Sequence, residues 1–243
     1  MSISLRRGKK QKSRGFGDRS RVTKRDSSVR SVVVDGITKT MAELAKDRPI
    51  FHAEADFQHA LAWQIKADHL DAKIRLESRP LPEESMFLDL LVELNGQRLG
   101  IECKYMVKEI ATTHDGETFR LRTQSAHDIR RYDTLKDLTR LERFIHEDGI
   151  DVGLLVVVSN DSAFWKQPTG RLTMDKDFRI HEGREAFGVL QWAPHTGAGT
   201  MKSREQPLTL ANTYKLKWQP FSQPTKDTKR AFRYLAVPVG AKV

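Results

Sequence analysis

The chain has a single cysteine, Cys103, among its 243 residues. No intrachain disulfide can form, and a multi-cysteine zinc site is excluded. Long apolar runs are missing too. The longest, Val152 to Val158, falls far short of the roughly 20 residues that span a bilayer. The N-terminus carries cations but no apolar stretch behind them, so it does not read as a secretory signal. A cytoplasmic protein is the expectation, with no membrane partner. The eight histidines show no HExxH pairing, which disfavours a zinc hydrolase. No GxxxxGK(S/T) occurs, which argues against a P-loop ATPase. Gly197–Ala198–Gly199 lacks a strand–helix context and reads as a plain loop. Apolar residues make up 38% and charged residues 30%, the balance of a soluble globular chain.

Positive charge is abundant but unevenly placed. Lys and Arg number 42 against 32 Asp and Glu, a formal net of +10. Residues 1–30 hold eleven of those cations and two Asp, a net of +9, so the other 213 residues are nearly neutral at +1. The segment around Arg6, Arg7, Lys9, Lys10 and Lys12 has too little apolar surface to offset chain entropy, and reads as a disordered basic arm. Such an arm attracts nucleic acid phosphates without sequence preference; a solubilising tail is the plainer reading. Residues 31–243 read as one domain, with a core over about 50–160 and a C-terminal extension over 161–243.

The coarse pattern along that core is helix, three strands, helix, strand. Ser31 to Val34 is a short β-branched run. From Ile50 the pattern turns helical, with Phe57, Leu61 and Ile65 on one face. Glu54 lies three residues before Phe57 and shares that face. A first-turn acid suits the helix dipole, but the dipole does not explain why it faces the core. Ala72 to Glu77 alternates like a strand. Met86 to Leu94 and Arg98 to Val107 flank Asn95–Gly96, the strongest short signal for a two-residue hairpin turn. Lys108 to Thr123 reads as a loop or hairpin extension. Ser125 to Glu147 is helical, either one bent helix or two abutting ones, with capping-box spacing at Ser125–Asp128 and Thr134–Asp137. Ile150 to Val158 reads as a strand buried on both faces. Further strands are expected at Phe187–Trp192, Tyr214–Trp218 and Phe232–Val239.

The hairpin register defines a site. With Asn95 and Gly96 as the loop, Leu94 pairs with Gln97 and Asp89 with Glu102. Leu88, Leu90, Val92, Leu99, Ile101 and Cys103 then share a core face. Asp89, Glu102 and Lys104 share the opposite one with Leu91, Gly100 and Met106. Like charges directly opposite on a sheet repel, so the pair needs a cation between its carboxylates. Lys104 as a structural salt bridge is one answer. A hard divalent metal held by oxygen ligands is the other, with Glu54 adding a third carboxylate.

Asp89 followed by Glu102–Cys103–Lys104, on a hairpin after a Glu-bearing helix, resembles the D…(D/E)-x-K signature of the PD-(D/E)xK nuclease superfamily. Leu88 stands where the family name has Pro. Gln124 is present near the next helix, but Asp128 stands where some exonuclease-type members carry Tyr. The resemblance implies an α/β restriction-endonuclease-like αβββαβ core, with a mixed central sheet flanked by helices and here a β-rich C-terminal extension. It implies phosphodiester hydrolysis with Mg²⁺ or Mn²⁺, in restriction, phage defence or DNA repair. Asp89, Glu102 and the Cys103 carbonyl would hold the metal, Glu54 a second metal or its waters. Lys104 would orient the attacking water. Gln124 and Arg131 would contact phosphate. DNA is the expected partner, RNA stays open, and a homodimer is compatible with the family. The alternative is a non-catalytic nucleic-acid-binding module of the same fold. Cys103 itself is expected to be a small core residue.

Overall fold

The computed structural model describes residues 36–83, 85–170 and 173–240. The basic segment with Arg6, Arg7, Lys9, Lys10 and Lys12, and the run Ser31–Val34, lie outside the described residues. The fold is mixed α/β. A helix α1 spans residues 36–47, and α2 covers Glu54–Asp68. Strands β1 (Lys73–Ser78), β2 (Leu88–Leu94) and β3 (Gln97–Met106) follow. A small hairpin, β4 (Ile110–His114) with β5 (Glu117–Leu121), precedes α3 (His127–His146) and β6 (Val152–Ser159). Beyond come β7 (Glu185–Leu190), the short α4 (Ala198–Met201), β8 (Leu208–Lys215), β9 (Trp218–Ser222) and β10 (Phe232–Val239). The expected order of helix, three strands, helix and strand is present, with the β4–β5 hairpin inserted. No helix among the described residues is long and apolar enough to cross a membrane.

Six strands form the central sheet in the order β1-β2-β3-β6-β10-β9. Only β3 and β6 run parallel; the remaining neighbours are antiparallel. Such a parallel pair needs a long crossover, and residues 107–151, with α3 inside them, provide it. The segment beyond residue 160 does two things. Strands β9 and β10 complete the central sheet, while β7 and β8 pair separately and β8 lies against α3.

The sheet is covered on both faces. On one, Met41 and Leu44 of α1 and Phe57 and Leu61 of α2 pack over Leu90, Val92, Ile101 and Cys103. On the other, Leu135, Leu138 and Leu141 of α3 pack over Leu91, Met106, Leu155 and Val157. This is why β6 is buried at every position. Gly153 lies under α3, where an added Cβ would come within 3.1 Å of Leu141 Cβ and Val239 Cβ.

The β2–β3 hairpin has the expected register from the turn, where Leu94 pairs with Gln97, as far as Leu90 with Ile101; the expected Asp89–Glu102 pair is not formed, because the ladder ends there. Asn95 and Gly96 both have positive φ, 53° and 73°, as a type I′ turn requires. One residue departs from the expected faces. Leu88 packs with the α3-side cluster, not with Leu90 and Val92. The pairs with β3 end at Leu90, so the start of β2 is released from strict alternation. The helix expected over Ser125–Glu147 is a single one, and its Ser125–Asp128 capping box is not formed. Ala126, in the left-handed region at φ 61°, stands at the N-cap without a side-chain hydrogen bond.

Candidate active site

Strand β3 outruns its neighbour. Its pairs with β2 stop at Ile101, while its pairs with β6 continue to Met106. Past Ile101 the β2-side edge therefore presents backbone N–H groups that need other acceptors. Three side chains supply them at alternate residues. Asp89 Oδ2 accepts from Cys103 N at 2.7 Å, Glu54 Oε2 from Tyr105 N at 2.8 Å, and Gln124 Oε1 from Val107 N at 3.3 Å. The start of β2, the first turn of α2 and the approach to α3 are thus drawn to one strand edge. The Cys103 carbonyl is in the same place and accepts from Lys104 Nζ at 3.1 Å.

A second layer comes from α3. Asp137 and Arg140, one turn apart, meet at 3.1 Å. Asp137 Oδ2 lies 2.7 Å from Lys104 Nζ, and Arg140 Nη2 lies 3.2 Å from Glu102 Oε1. Arg140 also donates to the Phe87 carbonyl. Arg140 donates to Asp137 Oδ1, whereas the Lys104–Asp137 and Arg140–Glu102 contacts are ion pairs that leave Asp137 Oδ2 and Glu102 Oε1 buried without a hydrogen-bond donor. Glu102 is 1% exposed. Glu54, Asp89 and Lys104 are half-buried.

The electrostatics follow from that crowding. Burial raises the Glu102 carboxyl well above its usual range, and Asp137 and Asp89 add to the effect against Arg140 and Lys104. Burial likewise raises Asp89, opposed by the Cys103 N–H and Lys104. Glu54 is raised by burial, with Lys104 and the Tyr105 N–H acting against it. Burial alone would lower the Lys104 ammonium, but Asp137, Glu54 and Asp89 outweigh it and hold the group above its ordinary value. Lys104 is therefore a charged donor at neutral pH rather than a proton acceptor.

Of the residues singled out in the sequence, Glu54, Asp89, Glu102, Cys103, Lys104 and Gln124 are brought to this edge. Gln124 is not on α3; it sits in the preceding loop and exchanges hydrogen bonds with Val107. Arg131 is elsewhere, buried, with Nη1 2.6 Å from Asp175 Oδ2. The Cys103 side chain is fully buried in the apolar cluster on the α1–α2 face. Sequence reasoning missed Asp137 and Arg140. The available signal was Asp137 beside Leu138 on the sheet-facing side of α3, where a solvated acid has no place.

Among the described residues no three His, Cys, Asp or Glu side chains form a ready-made metal cluster. The donor set is two carboxylates, Asp89 and Glu102, and the Cys103 carbonyl, with Glu54 beside them. These are hard oxygen ligands of the kind Mg²⁺ takes, and the buried Glu102 Oε1 accepts no hydrogen bond, its contact being the Arg140 guanidinium at 3.2 Å. The residues fit such an ion. No family model matches the chain, no curated protein matches it, and no solved structure matches its fold.

Proposed function

We propose that the chain is a Mg²⁺-dependent nuclease that hydrolyses phosphodiester bonds of DNA, with Mn²⁺ as a substitute ion. One observation carries the reading. Four carboxylates, Glu54, Asp89, Glu102 and Asp137, share a partly buried cluster with only two cations, Lys104 and Arg140. Fully ionised, the cluster lacks two positive charges, and a divalent cation restores the balance. The order of elements and the Asp89…Glu102–Cys103–Lys104 arrangement support kinship with the PD-(D/E)xK superfamily.

In this reading Asp89, Glu102 and the Cys103 carbonyl hold the ion, and Glu54 orients its waters or a second ion. The ion supplies Lewis-acid stabilisation of the attacked phosphate. Lys104 keeps its proton because of Asp137 and Glu54, so it orients the attacking water and stabilises charge on the phosphate oxygens. The N–H groups of Cys103 and Tyr105 fix Asp89 and Glu54 in place before substrate arrives. The net charge of +9 over residues 1–30 supplies attraction to DNA that a nearly neutral body lacks.

The Arg140–Glu102 contact favours a second reading, a nucleic-acid-binding module in which the acids are structural. One assay separates the two. The full chain is incubated with duplex, single-stranded and branched DNA and with RNA, in Mg²⁺, Mn²⁺ or EDTA. DNA is cut with either metal and left intact in EDTA. If no substrate is cut under any metal condition, the binding module replaces the nuclease.

A further inference from the structure

A second cleft, of about 360 Å³, opens between α3 and residues 203–206. Its walls carry four cations, Lys136, Arg140, Arg143 and Arg204, and one carboxylate, Glu205; Arg143 is paired with Glu147 at 2.9 Å and Arg140 with Asp137 at 3.1 Å. The steps from Lys136 to Arg140 to Arg143 are four and three residues, so these side chains share one face of α3. Arg204 is fixed on the far wall by two contacts to Asp133, at 2.8 and 2.9 Å. Glu205 accepts from the Ser203 N–H at 2.9 Å, which ties that carboxylate to its own loop. Lys136 is exposed, and its ammonium has no ion-pair partner among the described residues. One residue belongs to both places: Arg140 lines the cleft and touches Glu102 in the carboxylate cluster.

We propose that this cleft seats a backbone phosphate of the polynucleotide, neighbouring the phosphate that is attacked. The inference rests on the nuclease reading for the identity of the polyanion. Concave shape and excess positive charge are what a backbone phosphate requires. The shared Arg140 places the cleft next to the carboxylate cluster, so a strand bound at one can reach the other. Contacts of this kind position the strand without reading its bases. Their signature is a uniform loss of affinity and a shallower dependence on salt when one is removed.

The test uses the full chain carrying Asp89→Asn, so that bound DNA is not cut. Fluorescence anisotropy with a labelled duplex is measured over a range of KCl concentrations. Lys136→Ala is expected to weaken binding about fivefold at low salt and to reduce the slope of log K against log[salt] by about one. Lys136→Glu should do more. Lys46→Ala, an exposed cation of α1 paired with Glu43, should change neither quantity. Unchanged affinity and slope in Lys136→Glu overturn the inference. Cleavage by the parent chain is scored separately. A parent that cuts DNA, with a Lys136→Glu variant that binds normally, keeps the nuclease and rejects the cleft. A parent that never cuts, with weakened binding in Lys136→Glu, keeps the cleft and rejects the nuclease.

Discussion

Two ionic clusters draw on the same helix, and they are built in opposite ways. Along β3, Asp137 and Arg140 of α3 join Glu54, Asp89, Glu102 and Lys104. Nearer the start of α3, Arg131 joins Asp175 and Arg179. Asp175 is 2% exposed and Arg131 5%; in the first cluster Glu102 is as deeply buried, while Glu54, Asp89 and Lys104 are half-buried. In the second, one carboxylate meets two guanidinium groups, at 2.6 Å for Arg131 and 3.2 Å for Arg179. Thr173 donates to the same carboxylate, and Arg131 reaches the Ala163 carbonyl at 2.8 Å. Burial pushes Asp175 up, yet the Thr173 hydrogen bond and Arg131 outweigh it, and the carboxyl lies below its usual range. In the first cluster the Glu54, Asp89 and Glu102 carboxyls lie above theirs. An acid pulled down is one the fold has already neutralised. An acid pushed up is one the fold holds at a cost, and such acids gather at functional sites.

The contrast breaks first under mutation. Arg131→Ala leaves Asp175 buried with one fewer cation, and removing one partner of a buried pair costs about 3–5 kcal/mol. Urea unfolding should show that loss as a lower midpoint. Asp89→Asn removes one of four crowded charges and keeps a carbonyl acceptor for Cys103 N, so the midpoint should hold or rise. A loss of similar size in Asp89→Asn would mean that both clusters are structural. Activity should divide the other way. Lys104→Ala is expected to lower the cleavage rate by about a hundredfold to a thousandfold, the scale for removing one preorganised charge. Full activity in Lys104→Ala and Asp89→Ala ends the assignment.

How much of this was legible in the sequence depends on the range of the interaction. The hairpin was readable because Asn95–Gly96 fixes its register locally, but the pairs end at Leu90 and Ile101, so Asp89 reaches the site by accepting from Cys103 N and not by pairing with Glu102. Glu54 was readable because a three-residue step puts it on the face of Phe57. What failed depends on partners distant in the chain. Helix α1, which none of the expected elements covers, buries Ile37, Met41 and Leu44 at helical spacing against the sheet. Leu88 changes faces because β2 separates from β3 at that point, which alternation does not encode. Helix α3 starts later than expected, at His127 with Ala126 as its N-cap, because the expected Ser125–Asp128 capping box is not formed. Arg131 reads as a surface cation until residues 173–179 fold over it. Asp137 and Arg140 read as an ordinary helical pair until β3 lies beneath them.

Metal binding sharpens the comparison next. An ion that binds only the folded chain adds stability as RT ln(1 + [L]/Kd), about 2.7 kcal/mol at a hundredfold excess over Kd. Mg²⁺ should therefore raise the unfolding temperature of the full chain, and Asp89→Asn should shrink that rise. The Arg131 cluster, with no deficit of positive charge, should contribute nothing to it. An equal Mg²⁺ response in both proteins would place the ion away from Asp89.

The smallest effect is the pH dependence, and its sign is opposite for the two clusters. Glu54, Asp89 and Glu102 have raised carboxyl values in the folded chain. Between the ordinary carboxylate range, about 4, and those raised values, the folded chain holds protons that the unfolded chain has released. Stability from these groups therefore falls as pH rises through that window. Asp175 is lowered, so its contribution is fully present above the ordinary value and is lost only as pH falls through the folded one. Above the ordinary carboxylate range the carboxylate cluster should tilt the curve downward. Unfolding free energies in EDTA, compared between the parent chain and Asp89→Asn, isolate the tilt, because histidines and termini are common to both. The parent should lose more stability across that window than the variant. Saturating Mg²⁺ should flatten the difference, since an ion held by the carboxylates competes with their protons. Identical curves in EDTA would mean that Lys104 and Arg140 already neutralise the cluster, and the distinction between the two regions would collapse.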